Sequence, residues 1–198
     1  MNRTAPGFAP VPLDLGDVQL VPWGAGLLHL APAMAEVAAD PEVARWNPIR
    51  EPDMAAWILG HAEGSGEPGD QAGFAVLDAA GGTLLGTVGL YWLNRPDGQA
   101  GIGYRLLPAA RGRGVATRAT AAAARWAFAT AAVRRMELAH AVGNAASCGV
   151  AERCGFRLEG TLRASHRYGD GQHHDEHLHA RLAGDPEPPA GTGVSAMT

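Results

Sequence analysis

Lysine is absent from this 198-residue chain: all sixteen basic residues are arginine. Without a side-chain amine, Schiff-base catalysis and the phosphate-binding lysine of a P-loop are excluded. There are only two cysteines, Cys148 and Cys154. If both lie on one helix they face different directions, so no disulfide is expected, and two reduced structural thiols suit a reducing compartment. No apolar run approaches the ~20 residues of a membrane span. The opening MNRTAPGFAPVPLDLGD has no hydrophobic signal core. Charge is also sparse, 18% of residues with a net of −4, and there is no basic footprint for nucleic acid. A cytoplasmic protein with no nucleic-acid and no membrane partner is expected.

The remaining composition is that of a globular chain, 46% hydrophobic and long enough for one domain with a real core. Residues 1–16 and 184–198 are rich in Pro, Gly and small polar residues and read as flexible tails around a domain at 17–183. VQLVPW (18–23) reads as a strand, followed by helical LLHLAPAMAEVAAD, PEVARW and EPDMAAWILGHAEG, each with Pro or Asp start signals. AGFAVLD and TLLGTVGLYWL flank the turn AAGG as a hairpin, and QAGIGYRLL (99–107) puts Ile102, Tyr104 and Leu106 on one face. Val115, Ala119, Ala122 and Trp126 form the apolar stripe of a long helix. RRMELAHAV reads as a strand with Met136, Leu138 and Val142 inward. NAASCGVAERCGF reads as a helix capped by Asn144 and stopped at Gly155, and two closing strands flank YGDGQ. The fold class is α+β, or α/β by looser naming.

The stretch PAARGRGVAT (108–117) places two glycines and two arginines directly before the long helix. A helix start carries unpaired N–H groups and the positive end of the dipole, and glycine lets a phosphate approach the backbone. Arg111, Gly112, Arg113, Gly114, Val115, Ala116 and Thr117 therefore form a candidate cradle for a pyrophosphate.

The order strand, RGRGVA, helix, strand, NAAS, helix, GF resembles the GCN5-related N-acetyltransferase superfamily. The family's Gln/Arg-x-x-Gly-x-Gly/Ala signature is met by Arg111, Gly114 and Ala116. IGYRL before it, N..S......GF..EG.LR after it, and LVPW and DPEVARW near the start are similar to the RimJ/RimL branch. This resemblance implies a mixed, mostly antiparallel sheet flanked by helices, with a splayed strand pair holding acyl-CoA. It implies backbone partners for the pantetheine arm at Leu106 and Leu107, a hydrogen bond to that arm from Asn144, and protonation of the departing thiolate by Ser147. Gly101 and Gly103, costly inside a strand, suggest a bulge or an approaching ligand there, with ordinary packing as the alternative. Arg153 is placed near the adenosine-phosphate end or in solvent.

The general base is less defined. Glu159 is the favoured catalytic candidate, with Glu137, His140 and Asp175 as alternatives, and an α-amino acceptor needs little help to lose its proton. Two positions depart from the branch: Arg118 stands where Glu is frequent, and His179 where Tyr is usual. The histidine-rich HRYGDGQHHDEHLH would put His173, Asp175, His177 and His179 on one strand face. With no cysteine joining them, the stretch reads as an exposed hairpin or substrate lip, and no metal is expected. The expected activity is direct transfer of an acetyl group from acetyl-CoA, as co-substrate, to a primary amine: a protein N-terminus, an amino acid or a small molecule. A longer donor such as succinyl-CoA, or a non-catalytic acyl-CoA-binding module, is the alternative. The chain is expected to be a monomer or homodimer.

Overall fold

A computed structural model describes residues 6–63 and 69–188. Eight strands form one sheet in the order β1-β2-β3-β4-β5-β6-β8-β7. They are β1 (Leu13–Asp14), β2 (Val18–Pro22), β3 (Gln71–Asp78), β4 (Leu84–Asn94), β5 (Gln99–Leu106), β6 (Arg135–Ala141), β7 (Arg157–Arg167) and β8 (His173–Leu182). Every neighbouring pair is antiparallel except β5 and β6, which are parallel and joined by a helical crossover. The helices are α1 (Ala31–Ala39), α2 (Pro41–Trp46), α3 (Met54–Glu63), α4 (Val115–Thr130) and α5 (Ala145–Arg153).

Both faces of the sheet are covered, and the two-residue period of β3 shows how. Ala72, Phe74 and Val76 point into one core with α4 and α5, whereas Ala75 and Leu77 point into a second with α1 to α3. The residues of β3 between Gln71 and Asp78 are consequently all buried. On α4 the expected stripe is buried, joined by Ala123, Ala124 and Ala127. Alanine at these positions lets the helix backbone lie close to the sheet, and Trp126 fills the remaining volume edge-on to Phe74, with ring centroids 5.4 Å apart.

The strand and helix expectations match the structure closely, with three corrections. Residues 6–16 do not form a flexible tail: Phe8 is buried and stacks on Trp92 at 4.6 Å, its N–H bonds to Gly69, and Leu13–Asp14 pair with β2. An aromatic with this much area to bury outweighs the glycine and proline around it. At the other end, Glu187 forms ion pairs with Arg181 and Arg125, so the described part of the C-terminal segment also rests on the domain; residues 1–5 and 189–198 lie outside the described residues. Finally, Val142 is exposed, because β6 ends at Ala141, and the core position preceding it is occupied by His140.

Asp40 ties the second layer to the sheet. Its carboxylate caps α2 through the N–H groups of Glu42 (3.1 Å) and Val43 (3.0 Å), and it is ion-paired with Arg111. Asp40→Ala is expected to destabilise the fold by about 1–2 kcal/mol through the lost cap. Asp40→Asn, which retains a capping oxygen, should cost clearly less. Urea unfolding of the two variants checks this, and equal losses would refute the capping assignment.

Candidate active site

The parallel pair β5–β6 is joined only through Gln99, Ala100 and Gly101 opposite Arg135, Met136 and Glu137. Beyond these residues β5 runs on to Leu106 and β6 to Ala141 without pairing, and the strands diverge. The gap is a cleft of about 1400 Å³ that runs from the start of α4 to the β7–β8 hairpin. Its floor and walls include Gly103, Tyr104 and Leu106 from β5 and Leu138, Ala139 and His140 from β6.

The RGRG turn stands at one end. Gly112 and Gly114 have φ of +71° and +72°, the left-handed region that glycine enters without steric cost. Gly114 is the N-cap of α4 and no side chain caps the helix. The first bond across the turn runs from Arg118 N–H to the Gly114 carbonyl, so the N–H groups of Val115, Ala116 and Thr117 precede the helical ladder. A Cβ built on either glycine meets nothing within 4 Å, which leaves open space directly above those donors. These residues, with Arg113, line the cleft and form an anion seat made by the backbone.

The arginines contribute less than their sequence position suggests. Arg111 is committed to Asp40 and to the Leu106 carbonyl at 2.9 Å, so its role is to brace the turn. Arg118 is ion-paired with Asp17, whose carboxyl it holds below the ordinary value. Arg153 reaches Thr117 Oγ1 at 3.4 Å and lies along the cleft.

Across the cleft, Asn144 Oδ1 accepts from the Ser147 N–H at 3.1 Å and caps α5. Ser147 Oγ meets Tyr104 Oη at 3.0 Å. This contact joins β5 to α5 across the splayed strands. Tyr104 shares a strand face with Ile102 and Leu106, as the alternation predicts, but nothing local in the sequence shows that this face becomes a cleft wall. Burial pushes the Tyr104 phenol above its ordinary value, so it stays a proton carrier at neutral pH.

Several expected site residues lie elsewhere. Glu159 and Glu137 both bind Arg135, Glu159 through two bonds of 2.9 and 2.6 Å, and neither lines the cleft. Arg135 holds the Glu159 carboxyl below its usual value, making it a poorer base as well as a misplaced one. Asp175 is exposed and accepts from the Ala164 N–H at 2.8 Å. Of the four proposed bases only His140 lines the cleft. Leu107 does not, and its N–H is bonded to the Leu85 carbonyl at 2.9 Å. Gly101 takes the packing alternative: its Cβ would stand 2.4 Å from the ring of Tyr91, its cross-strand partner. Gly103, in contrast, has only Asn47 Nδ2 nearby, at 3.8 Å.

The end of the cleft opposite the glycine turn is aromatic and acidic. Trp46 packs edge-on against Tyr168 at 5.9 Å, and Tyr168 donates to Glu176 at 2.8 Å. Glu176 was not singled out from the sequence, where it sits among several charged neighbours with no pattern to distinguish it. The histidine stretch also divides differently from expectation. His173 and Asp175 are exposed, whereas His177 and His179 meet His140 and, against the expectation that no cysteine joins them, Cys148. Both cysteines are free thiols, Cys148 in α5 and Cys154 at its C-terminal cap.

Thr117→Asp adds a negative charge to the first turn of α4, where it favours the helix but opposes a bound phosphate. It should leave the melting temperature unchanged or higher and weaken binding of a pyrophosphate-bearing ligand about fivefold or more, since a like charge ~4 Å away costs on the order of 1 kcal/mol even in water. Calorimetry showing unchanged affinity would remove the anion seat. His61, on the cleft wall, stacks on Trp57 at 3.8 Å and is held below the ordinary histidine value by burial. The unfolded chain therefore takes up the proton first, and stability falls as pH drops below 6.5. His61→Gln should flatten the decline in melting temperature between about pH 7 and 5, a window above the titration of the carboxylates; an unchanged slope would contradict this.

Comparison with known proteins agrees with the geometry. Residues 19–157 match the family described as Acetyltransferase (GNAT) domain. A candidate ribosomal N-acetyltransferase of Bacillus subtilis (strain 168), YdaF, is 36% identical over 94 residues, a match that spans 48% of this chain and 51% of that protein. Among solved structures, the ribosomal-protein-S5-alanine acetyltransferase from Vibrio fischeri superposes with a TM-score of 0.78 at 22% identity, covering 90% of this chain and 100% of that one. RimL, the ribosomal L7/L12 α-N-protein acetyltransferase in complex with coenzyme A, gives 0.75 at 18% identity, covering 87% and 98%. The chain belongs to the GNAT acetyltransferase family.

Proposed function

We propose that this chain is an acyl-CoA-dependent N-acetyltransferase that moves the acetyl group of acetyl-CoA directly to a primary amine in a ternary complex. The observation that carries this reading is the divergence of β5 and β6 immediately in front of the uncapped start of α4. One end of the cleft suits a pyrophosphate, and the unpaired strand edges suit an amide-bearing arm laid between them as an extra strand. A cytoplasmic setting fits the two free thiols and the acyl-CoA supply.

In this reading the amine enters from the end lined by Trp46, Tyr168 and Glu176, where carboxylate and ring faces attract a cation. After losing its proton to solvent it attacks the thioester carbonyl, the C–N bond forms, the C–S bond breaks, the nitrogen sheds a second proton to become the neutral amide, and the thiolate takes one up, so that one proton is released overall. In this reading Ser147 protonates the leaving thiolate and is reprotonated through Tyr104, a role supported by their hydroxyl contact at 3.0 Å. Asn144 fixes the first turn of α5 and thereby the position of Ser147. The amine is itself the nucleophile, so no step of the transfer is routed through a metal. The acceptor class is an amine on a protein N-terminus or a small molecule.

Ser147→Ala and Tyr104→Phe should each lower kcat by roughly 10²-fold, the usual range for a lost proton-transfer partner, with acetyl-CoA affinity nearly kept. The double variant should be little worse than either single one, because the two hydroxyls act as a unit. Thiol release across a panel of amines with acetyl-CoA and succinyl-CoA checks both the activity and the donor. Acetyl-CoA binding without release on any amine would favour a binding module instead.

A further inference from the structure

Four side chains that the transfer reaction does not require converge between β6, β8 and α5. His140 and His177 are cross-strand partners, and His179 lies two residues beyond His177 on the same face, opposite Leu138. Cys148, from the first turn of α5, reaches the same point. The nearest ligand atoms of these four residues all lie within 4.8 Å of one another.

Their hydrogen bonds determine which atoms face inward. His140 Nδ1 contacts the Ala141 carbonyl at 2.9 Å, and His179 Nδ1 contacts the Phe156 carbonyl at 3.3 Å. A carbonyl only accepts, so both rings carry their proton on Nδ1 and, when neutral, present a bare lone pair at Nε2. Those two Nε2 atoms face each other at 3.2 Å. Two acceptors at this distance repel unless a cation or a proton lies between them. The Nδ1 of His177 is buried with no hydrogen-bond partner among the described residues, and Cys148 Sγ lies 3.9 Å from His179 Nε2. Metal-ligating histidines characteristically donate their second ring N–H to a carbonyl, the arrangement of His140 and His179.

We propose that His140, Cys148, His177 and His179 form a binding site for a divalent cation of the zinc class. Three imidazoles and one thiolate are a borderline-soft donor set that suits zinc over magnesium or calcium. Zn–N of about 2.0–2.1 Å and Zn–S of about 2.3 Å put tetrahedral ligand atoms roughly 3.3–3.6 Å apart. The 3.2 and 3.9 Å separations bracket that spacing. Binding converts the Cys148 thiol to a thiolate and releases its proton to solvent. The bound ion would fasten the first turn of α5 to β6 and β8, one residue from Ser147, and so hold the cleft wall in place. The site does not depend on the acyl-transfer reading.

The test uses the full chain, stripped with chelator, dialysed and titrated with Zn²⁺ or Co²⁺. One equivalent should bind, raise the melting temperature and, with Co²⁺, give tetrahedral d–d bands and a thiolate-to-cobalt charge-transfer band. Cys148→Ala should abolish the charge-transfer band. Cys148→Ala and His177→Ala, at half-buried positions with folding checked by circular dichroism, should each weaken binding by more than roughly 100-fold, beyond what loss of an outer partner does. His173→Ala, on the exposed side of the hairpin, should bind as the parent does. Absence of saturable binding would overturn the proposal, as would bound Co²⁺ without a thiolate band. Affinity unchanged in either ligand variant would also overturn it, the ion then being held by surface histidines.

Discussion

Beyond Gly101 and Glu137 the two central parallel strands share no further pairing, and the architecture around the site follows from that break. Buried backbone groups left without partners are costly, so a sheet that opens in its middle must satisfy its edges by other means. Part of the solution is internal. Asn47 donates to the Tyr104 carbonyl at 3.2 Å, and Arg111 donates to the Leu106 carbonyl at 2.9 Å. The rest of the gap is an opening that an extended amide-bearing ligand matches better than water. The parallel direction matters as well: β5 and β6 need a long crossover, which here carries α4, and the glycine turn leads from the end of β5 into that helix. Its bare N–H groups are thus delivered to the mouth of the gap by topology, and the glycines keep that mouth open.

The splay also explains why side chains from remote elements meet. Ser147 and Tyr104 are on opposite sides of the opening and touch only because the strands separate there. Asp40 and Arg111 couple the α2 cap to the glycine turn, so the helical layer on one face of the sheet braces the anion seat at its edge. Arg111 thereby braces the glycine turn, its guanidinium being taken up by Asp40 and the Leu106 carbonyl. Its ion pair is formed by a nearly buried carboxylate and a partly exposed guanidinium, with side-chain exposures of 6% and 35%. A partner so placed restrains geometry more than it adds stability.

Much of this was legible in the sequence because the relevant signals are local. The glycine turn before an amphipathic helix, the Asn144 cap and the alternation in β5 each depend on neighbouring residues, and the structure has them where expected. The failures share a cause in long-range pairing. Glu159 looked available as a base until Arg135, 24 positions earlier, occupied both its oxygens. Phe8 looked like part of a loose segment until Trp92 and Trp126 covered it. Gly101 looked like a ligand approach until Tyr91 filled the space above it. Periodicity assigns a face to a residue, but not what the other elements bring to that face.

The β6–β8 pairing shows the same limit and its consequence. Read alone, RMELAHAV and the histidine-rich DEHLHARL are two separate alternating strands, and the buried histidines occupy positions where apolar residues would be expected. Antiparallel registry aligns His140 with His177 and brings His179 alongside, so three imidazoles replace what would otherwise be a patch of core. A buried polar cluster of this kind is stable only when its hydrogen-bonding capacity is met. Here two Nδ1 atoms are satisfied by carbonyls, while the Nε2 pair and the His177 Nδ1 are not. The deficit is concentrated at one point, at the foot of the helix that carries Asn144 and Ser147. An ion bound there would act on the cleft through α5, because that helix packs on β6 and also presents Ser147 to Tyr104.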